Sequence, residues 1–310
     1  MNAIKGKASL LLGVLSLIWG SSFILIKKGL IAFSPIQLGS LRILISGIVF
    51  LPYVLINIKK IKINRWKYIL LFALMEVGIP PYLFAIAQTA VDSSTAGILN
   101  SLVPLFTLFT GIMFFRLSLN IPKLSGVLIG LMGAVFLIFI RTSLHDGPGF
   151  TIDISNMSGL LIILATFLYG FGTNLLKTYL QHVPGLFISA FSFVSMSIPA
   201  GICLLTTNIL EMDLTAGRNL NSFLAVLTLS IAGSAVAIYL YSVIVQEANA
   251  LFASFVTYFI PFVSLVWGFL DGEPLNMMQF FCLACILAGI YLTNKGEARE
   301  KREEVTGEKT

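Results

Sequence analysis

The sequence predicts an all-α membrane protein whose ten transmembrane helices form two inverted five-helix repeats. The chain of 310 residues is 57% apolar and only 11% charged, whereas charged residues make up roughly a quarter of a soluble domain. Ten apolar stretches approach the length of about 20 residues that crosses a bilayer as a helix. A set of motifs in the first half also recurs in the second half with the same internal spacing.

The ten predicted helices are joined by short connections, so the membrane bundle accounts for nearly the whole chain. They run approximately over residues 8–26, 36–56, 68–89, 94–115, 124–140, 158–176, 186–206, 222–245, 250–270 and 276–293. The first stretch follows Lys5 and Lys7, as in a signal peptide. Its apolar run is longer than a typical signal-peptide core and no small-x-small cleavage site follows, so we interpret it as a retained helix.

Lysine and arginine placement predicts the orientation, because short loops rich in these residues stay in the cytoplasm. With the N-terminus inside, 15 of the 20 basic residues fall on the cytoplasmic side and 4 on the outer side. Both termini are therefore expected in the cytoplasm. The net charge of +6 follows from this topology and from attraction to anionic lipid, so nucleic acid is not an expected partner.

The internal duplication is visible in two alignments. Trp19-Gly20-Ser21-Ser22-Phe23 leads to Lys27 as Tyr169-Gly170-Phe171-Gly172-Thr173 leads to Lys177. Without a gap, the second alignment superimposes Tyr82, Asp92, Ala96 and Pro104 on Tyr239, Asn249, Ala253 and Pro261. Five helices per repeat invert the second copy and place the shared interface at mid-membrane. We expect repeats over residues 1–145 and 146–294, followed by a charged cytoplasmic tail over 295–310, solvated and either frayed or helical.

Four motifs resemble the ten-helix EamA branch of the drug/metabolite transporter superfamily. They are the Ile18 to Lys27 stretch, the stretch from Ser34-Pro35 to Arg42, the Leu102-Val103-Pro104-Leu105 turn and the Gly272-Glu273 pair. The resemblance implies a secondary transporter, commonly an exporter of amino acids, metabolites or small toxic compounds. It also implies a cavity lined by helices 1, 3, 4, 6, 8 and 9. One departure is Arg116, which stands where the second repeat has Glu273.

Glu76 is the strongest candidate site residue, because an ionisable group in the middle of a transmembrane helix is costly in lipid and faces protein or a wet cavity. It would bind a cationic group of the substrate or carry a coupling proton. The alternative is a protonated carboxyl held by hydrogen bonds within the bundle. Its counterpart in helix 8 is Gly233, so a proton site is not duplicated.

Two pairs of aromatic residues occupy equivalent positions in the repeats: Tyr82 with Tyr239, and Trp19 with Tyr169. Amphipathic rings suit a cavity that accepts varied small molecules. The same residues would equally serve as packing residues, and the sequence leaves both roles open.

Pro104 and Pro261 are predicted inside helices 4 and 9, where each frees the carbonyl one turn earlier. Those carbonyls belong to Asn100 and Thr257, which are further candidates for substrate binding. The prolines are candidate gating hinges, with a fixed structural kink as the alternative.

Other polar residues have mainly structural interpretations. Asp92 and Asn249 suit helix N-caps, while Asn174 and Gln88 would either line the path or bond neighbouring helices. Arg42 is expected to snorkel from helix 2 or to form an ion pair with an unidentified partner. Lys27 and Lys177 are expected to act as interface anchors.

Chemical catalysis is not expected. The sequence contains no nucleophile with a positioned base and no phosphate-binding loop, so we predict neither a catalytic site nor a cofactor. Cys282 and Cys285 have the spacing of a metal or redox motif but lie in an apolar helix without companion ligands, so no metal is predicted either.

The combined expectation is a transporter in the bacterial inner membrane that moves small organic metabolites out of the cell by alternating access. Amino acids, related compounds or xenobiotics are the expected substrates. An uncoupled facilitator, an importer or a membrane subunit without transport activity remain the alternatives. We expect lipid as the surroundings and a monomer or a weak homodimer, in which the small residues Gly126, Gly130 and Gly133 would make close helix contacts.

Overall fold

The computed structural model describes residues 2–59, 65–145, 158–213, 217–247, 253, 255–275 and 277–306, without the side chains of 2–8, 138–145, 247 and 297–306. Eight helices in this part are long and apolar enough to cross a membrane, and two shorter apolar helices complete the set of ten. The prediction of an all-α membrane protein with ten helices is confirmed.

The ten helices follow the predicted stretches closely. They are α1 (Asn2–Gly29), α2 (Pro35–Asn57), α3 (Trp66–Ala87), α4 (Ser93–Phe115), α5 (Ile121–His145), α6 (Ser158–Tyr179), α7 (Gly185–Leu205), α8 (Gly217–Gln246), α9 (Val256–Leu270) and α10 (Met277–Thr306). Helix α10 continues through much of the charged tail. The predicted boundary between residues 145 and 146, the predicted cap Asn249 and residues 307–310 lie partly or wholly outside the described residues.

Local sequence explains how α2 begins. Ser34 accepts a hydrogen bond from the Gln37 backbone N–H (3.3 Å), and the Gln37 side chain accepts one from the Ser34 backbone N–H (2.9 Å). This reciprocal capping box satisfies two amides that the first helical turn leaves free. Pro35 follows at the first helical position, where its missing N–H costs nothing.

Helices α5 and α10 pack against each other through small residues. A Cβ built on Gly126 would lie 2.5 Å from the Gly289 carbonyl oxygen, and a Cβ on Gly289 would lie equally close to the Gly126 carbonyl oxygen. Gly133 faces Cys282 and Cys285 in the same seam. The glycines considered for a dimer contact are therefore used inside the chain, and the cysteines of α10 occupy packing positions.

Helices α3 and α8 each contain a π-helical segment at repeat-equivalent positions. The segments are Leu74–Gly78 and Ile231–Val236, whose first residues are separated by the same 157 positions as Tyr82 from Tyr239. Such segments interrupt the regular backbone ladder and occur frequently at functional sites. In the first repeat, the irregular segment contains Glu76.

Helix α4 is interrupted at residues 101–102, which divide it into Ser93–Asn100 and Val103–Phe115. Pro104 lies in the first turn of the second piece and not, as predicted, inside a continuous helix. Pro261 does lie inside α9. The difference follows from the backbone break, which already removes the bond that Pro104 cannot make.

Candidate functional site

Glu76 lies in the interior of the bundle, on the π-helical segment of α3. Its carboxyl group packs against α6 at Gly172, where a Cβ would lie 2.6 Å from Glu76 Oε1. The side chain keeps intermediate exposure and makes no hydrogen bond or ion pair with another described residue. An interior carboxyl with these properties borders internal space and has capacity left for a ligand.

The second repeat builds a related contact with the large and small residues exchanged. Gly233 occupies the π-helical segment of α8, and a Cβ there would lie 3.1 Å from the Ser22 hydroxyl of α1. Trp19 Nε1 donates a hydrogen bond of 3.2 Å to the Gly233 carbonyl oxygen. Between α3 and α6, the Glu76 side chain fills the space that Gly172 leaves. At the equivalent segment of α8, Gly233 has no side chain, and the indole of Trp19 lies beside its carbonyl group.

Tyr169 connects Glu76 with a second charged group. Its hydroxyl lies within electrostatic range of both Glu76 on α3 and Arg42 on α2. The ring stacks on Phe84 of α3, with centroids 6.2 Å apart and planes inclined by 24°, and this contact holds the ring against α3.

Tyr241 of α8 completes this cluster, and the sequence analysis missed it. Its hydroxyl interacts electrostatically with Glu76, and its ring centroid lies 5.7 Å from that of Trp19. We call Trp19, Arg42, Glu76, Tyr169 and Tyr241 the central site. Tyr241 and its counterpart Phe84 are also aromatic residues at repeat-equivalent positions, so the duplication contained a signal for Tyr241 that the sequence analysis did not use.

Arg42 was expected to snorkel or to form an ion pair, but it lies inside the bundle. Its Nε atom is inaccessible and has no hydrogen-bond partner in the described part of the chain. The side chain as a whole keeps intermediate exposure and interacts electrostatically with Tyr169 of α6.

Tyr82 and Tyr239 are not brought into the central site. The Tyr82 hydroxyl shares a hydrogen bond of 2.9 Å with Ser40 of α2, and its ring packs against Gly39. Tyr239 is 56% exposed and lines a lateral apolar groove of about 310 Å³ beside Val49 and Leu186. Tyr82 of α3 therefore packs against α2, and Tyr239 of α8 lines a groove that α2 borders.

Asn174 is buried and ties α6 to α4. Its Nδ2 atom donates to the Thr107 carbonyl oxygen (2.6 Å) and to the Thr110 hydroxyl (3.0 Å). These bonds use its donors for helix contact. Asn100 ends the first piece of α4 and Thr257 lies in the first turn of α9, so both polar residues stand next to breaks in regular structure.

At the C-terminal end of α1, ion pairs connect this helix to the segment between α9 and α10. Lys27 Nζ lies 2.7 Å from Asp271 Oδ2 and 2.8 Å from Glu273 Oε1, and Lys28 also pairs with Asp271. We call this end of the bundle the Lys27 end and the opposite one the Lys177 end. Lys27 is therefore more than the interface anchor that the sequence suggested.

Glu273 also caps α4. It accepts hydrogen bonds from the backbone N–H groups of Ser93 (2.9 Å) and Ser94 (3.0 Å) and from the Ser93 hydroxyl (2.8 Å). Asp92 occupies the N-cap position but makes no side-chain capping bond. The predicted cap is thus supplied by a residue 180 positions away in sequence.

The environment of Glu273 keeps its carboxyl ionised. Burial acts to raise its pKa, but hydrogen bonds from Lys27, Ser94 and Ser93 outweigh that effect and lower the pKa to about 2. The pKa of Asp271 is also lowered, since Lys27 and Lys28 outweigh its burial. Both groups therefore carry negative charge throughout the physiological range.

The model of the EamA-like transporter family matches residues 6–139 and again residues 156–295. A curated relative, the uncharacterized inner membrane transporter YedA of Escherichia coli, is 25% identical over 289 residues, covering 91% of this chain and 89% of its own. The S-adenosylmethionine/S-adenosylhomocysteine transporter of Chlamydia muridarum is 24% identical over 303 residues, covering 96% and 94%.

A solved crystal structure of a protein shares the fold. It superimposes with a TM-score of 0.62 at 16% identity, covering 95% of this chain and 98% of the other. The uncharacterized transporter YoaV of Bacillus subtilis is 24% identical, covering 94% of this chain and 98% of its own. Each of these matches covers more than 90% of this chain.

Proposed function

Since this chain belongs to the EamA-like transporter family, we propose that it is a secondary transporter that exports small organic metabolites by alternating access. The observation that carries this proposal is the central site, where Glu76 and Arg42 from different helices approach Tyr169 without forming internal ion pairs in the described chain. Charged groups inside a membrane bundle that lack internal partners are typical of a substrate or ion pathway.

Amino acids and related compounds are the substrate class that we propose first, with xenobiotics as a broader alternative. A carboxylate at Glu76 suits an amino group, and the adjacent rings of Trp19 and Tyr241 suit cation–π contact with it and apolar contact with a side chain. The Chlamydia muridarum relative supports this class, because both compounds in its name contain an amino-acid group.

We place the protein in the bacterial cytoplasmic membrane with both termini in the cytoplasm. The relative named an inner membrane transporter and the 15-to-4 distribution of basic residues support this orientation. A C-terminal green fluorescent protein fusion should fluoresce and a C-terminal alkaline phosphatase fusion should stay inactive. The opposite pattern would contradict the proposed orientation. We propose no chemical catalysis and a monomer or weak homodimer.

Purified protein in liposomes tests the transport proposal directly. Vesicles preloaded with a mixture of unlabelled amino acids should take up radiolabelled amino acids by saturable counterflow. Glu76→Gln should reduce that exchange at least tenfold, because a neutral amide removes the charge that binds an amine or proton. The matched control is Glu211→Gln, which changes an exposed carboxyl and should leave the flux unaltered. Flux that never saturates would argue against a carrier.

An imposed pH gradient distinguishes coupled export from facilitated diffusion. If Glu76 carries the coupling proton, a gradient should drive accumulation in the wild type and have no effect in Glu76→Gln. An uncoupled facilitator should equilibrate its substrate and ignore the gradient in both proteins. A subunit without transport activity should show neither counterflow nor thermal stabilisation across a broad metabolite panel.

A further inference from the structure

We infer that Arg42 is an anion subsite that binds the carboxylate of the substrate, so that the central site selects zwitterions with a carboxylate at Arg42 and an amine at Glu76. This inference rests on the proposed transport function and adds the chemical form of the substrate.

The first argument is the state of the guanidinium. The Nε atom of Arg42 is inaccessible and unpartnered, and no hydrogen bond or ion pair joins its side chain to another described residue. An arginine carries its charge under all ordinary conditions and offers five donors in a planar fork. Only Nε is inaccessible and the side chain as a whole keeps intermediate exposure, so the terminal nitrogens are open to a ligand. A cation without a partner in the membrane interior calls for an anion.

The second argument is the arrangement of the charges. Tyr169 lies within electrostatic range of both Arg42 and Glu76, yet in the described chain no ion pair of 4.0 Å or less joins the two charged groups. The two charged groups, which come from α2 and α3, therefore both act on the Tyr169 hydroxyl while remaining unpaired with each other. A molecule that carries both an anion and a cation would satisfy both groups at once.

The third argument concerns geometry of recognition. A guanidinium and a carboxylate form two parallel charge-assisted hydrogen bonds, which sets the orientation of the ligand as well as its charge. With the carboxylate held at α2 and the amine at α3, the substituent of the amino acid is directed toward the remaining members of the site, Trp19 and Tyr241, whose rings lie in contact.

A matched series of probes tests the inference without requiring the natural substrate. The series consists of L-phenylalanine, L-phenylalaninamide, phenethylamine and 3-phenylpropionate, with L-leucine and its three corresponding derivatives as a second set. Competition against amino-acid counterflow should rank the zwitterion first. Loss of the carboxylate should weaken inhibition about 10- to 100-fold, since a hydrogen-bonded charge contributes in this range.

Variants at the two charges separate their roles. In Arg42→Gln the amino acid and its amide should inhibit equally, while Arg42→Lys should keep part of the difference. Glu76→Gln should keep the preference for a carboxylate and lose the preference for an amine. If the ranking of the ligands did not change in the Arg42 variants, the inference would be overturned. Arg42 would then pair with a structural anion such as chloride.

A labelling experiment on the wild type avoids variants that fail to fold. Phenylglyoxal reacts with accessible arginine, and peptide mass spectrometry reports the modification at Arg42. L-Phenylalanine or 3-phenylpropionate at saturating concentration should slow that reaction several-fold, whereas phenethylamine should not. Equal protection by the amine, or no protection by carboxylates, would overturn the anion subsite. Selective flux of amines in the same vesicles would leave the transport proposal intact, and absence of saturable flux would reject that proposal separately.

Discussion

At the scale of single residues, the central site depends on one glycine. Gly172 leaves room for the Glu76 carboxyl, since its missing Cβ would stand 2.6 Å from Oε1 and 2.8 Å from Cγ of that residue. The equivalent residue in the first repeat is Ser22, which faces Gly233. In each repeat, therefore, one side chain packs against a glycine on the facing helix: Glu76 against Gly172, and Ser22 against Gly233.

Replacement of Gly172 by serine, its repeat counterpart, should displace Glu76. We expect amino-acid counterflow to fall about tenfold, while the unfolding free energy changes by less than about 1 kcal/mol because the displaced atoms belong to a flexible side chain. Counterflow and thermal unfolding of the same preparations measure the two effects. Gly201→Ala is the control, since its Cβ would meet only Leu44 Cδ1 at 3.8 Å.

The double variant Gly172→Ser with Glu76→Asp should recover part of the flux, because aspartate is one methylene shorter. If serine at 172 left transport unchanged, the position of the Glu76 carboxyl would not matter to function.

Glu273 gives a pH dependence at the Lys27 end. Its folded-state pKa of about 2 lies below the ordinary value of 4.5, so its contribution to stability is present above about pH 4.5 and is lost as the pH falls toward 2. The contribution is on the order of 3 kcal/mol. Thermal unfolding between pH 7 and pH 3 should show more than half of this loss in the wild type, and Glu273→Gln should make the curve less steep and lower its plateau. Glu211→Gln should reproduce the wild-type profile.

At the scale of secondary structure, the sequence predicts the helices well and their irregularities poorly. Apolar length and basic flanks locate spans such as 36–56, observed as Pro35–Asn57, because lipid forces every backbone group into a helix. No sequence pattern of this kind predicts the π-helical segments, because the sequence of Leu74–Gly78 is compatible with an ordinary apolar α-helix. The capping of α4 by Glu273 could not be predicted from local sequence either, because it depends on a contact between residues far apart in the chain. Local sequence favoured Asp92, which occupies the N-cap position.

The same limit applies to the candidate site. An isolated carboxyl in an apolar helix identified Glu76, and repeat alignment identified Trp19 and Tyr169. Alignment also selected Tyr82 and Tyr239, which the structure places on other surfaces. Equivalent positions in inverted repeats need not face the same space once the facing residues differ, as at Gly233 and Glu76.

The contact between α5 and α10 provides a prediction at this scale. Gly289→Ala would place a Cβ 2.5 Å from the Gly126 carbonyl oxygen and 2.8 Å from the Gly130 nitrogen. Both are backbone atoms, so the helices must separate, at a cost of about 1 to 3 kcal/mol. Thermal unfolding should detect this against Gly201→Ala. An unchanged melting temperature would show that the two helices do not depend on close approach.

At the scale of the whole molecule, the two ends of the bundle differ in charge despite the duplication. The Lys27 end carries Asp271 and Glu273, whereas the repeat-equivalent positions at the Lys177 end are Phe114 and Arg116. In the alternating access proposed above, each end opens in turn. An opening at the Lys27 end would separate the ion pairs of Lys27 with Asp271 and Glu273, whereas Phe114 and Arg116 provide no carboxylate for equivalent pairs at the other end.

The double variant Asp271→Asn with Glu273→Gln should therefore favour the form open at the Lys27 end. Ser94 is fully buried beneath this network, so a cysteine introduced there in a background without Cys203, Cys282 and Cys285 reports opening. Its reaction with a hydrophilic maleimide should accelerate about tenfold in the double variant, because releasing about 1.4 kcal/mol of closing energy shifts the equilibrium by that factor. A cysteine in place of Thr110, buried near the Lys177 end, should react at an unchanged or lower rate. Equal acceleration at both positions would mean that the variant loosens the whole bundle, and the charged network would then stabilise the fold without controlling which end opens.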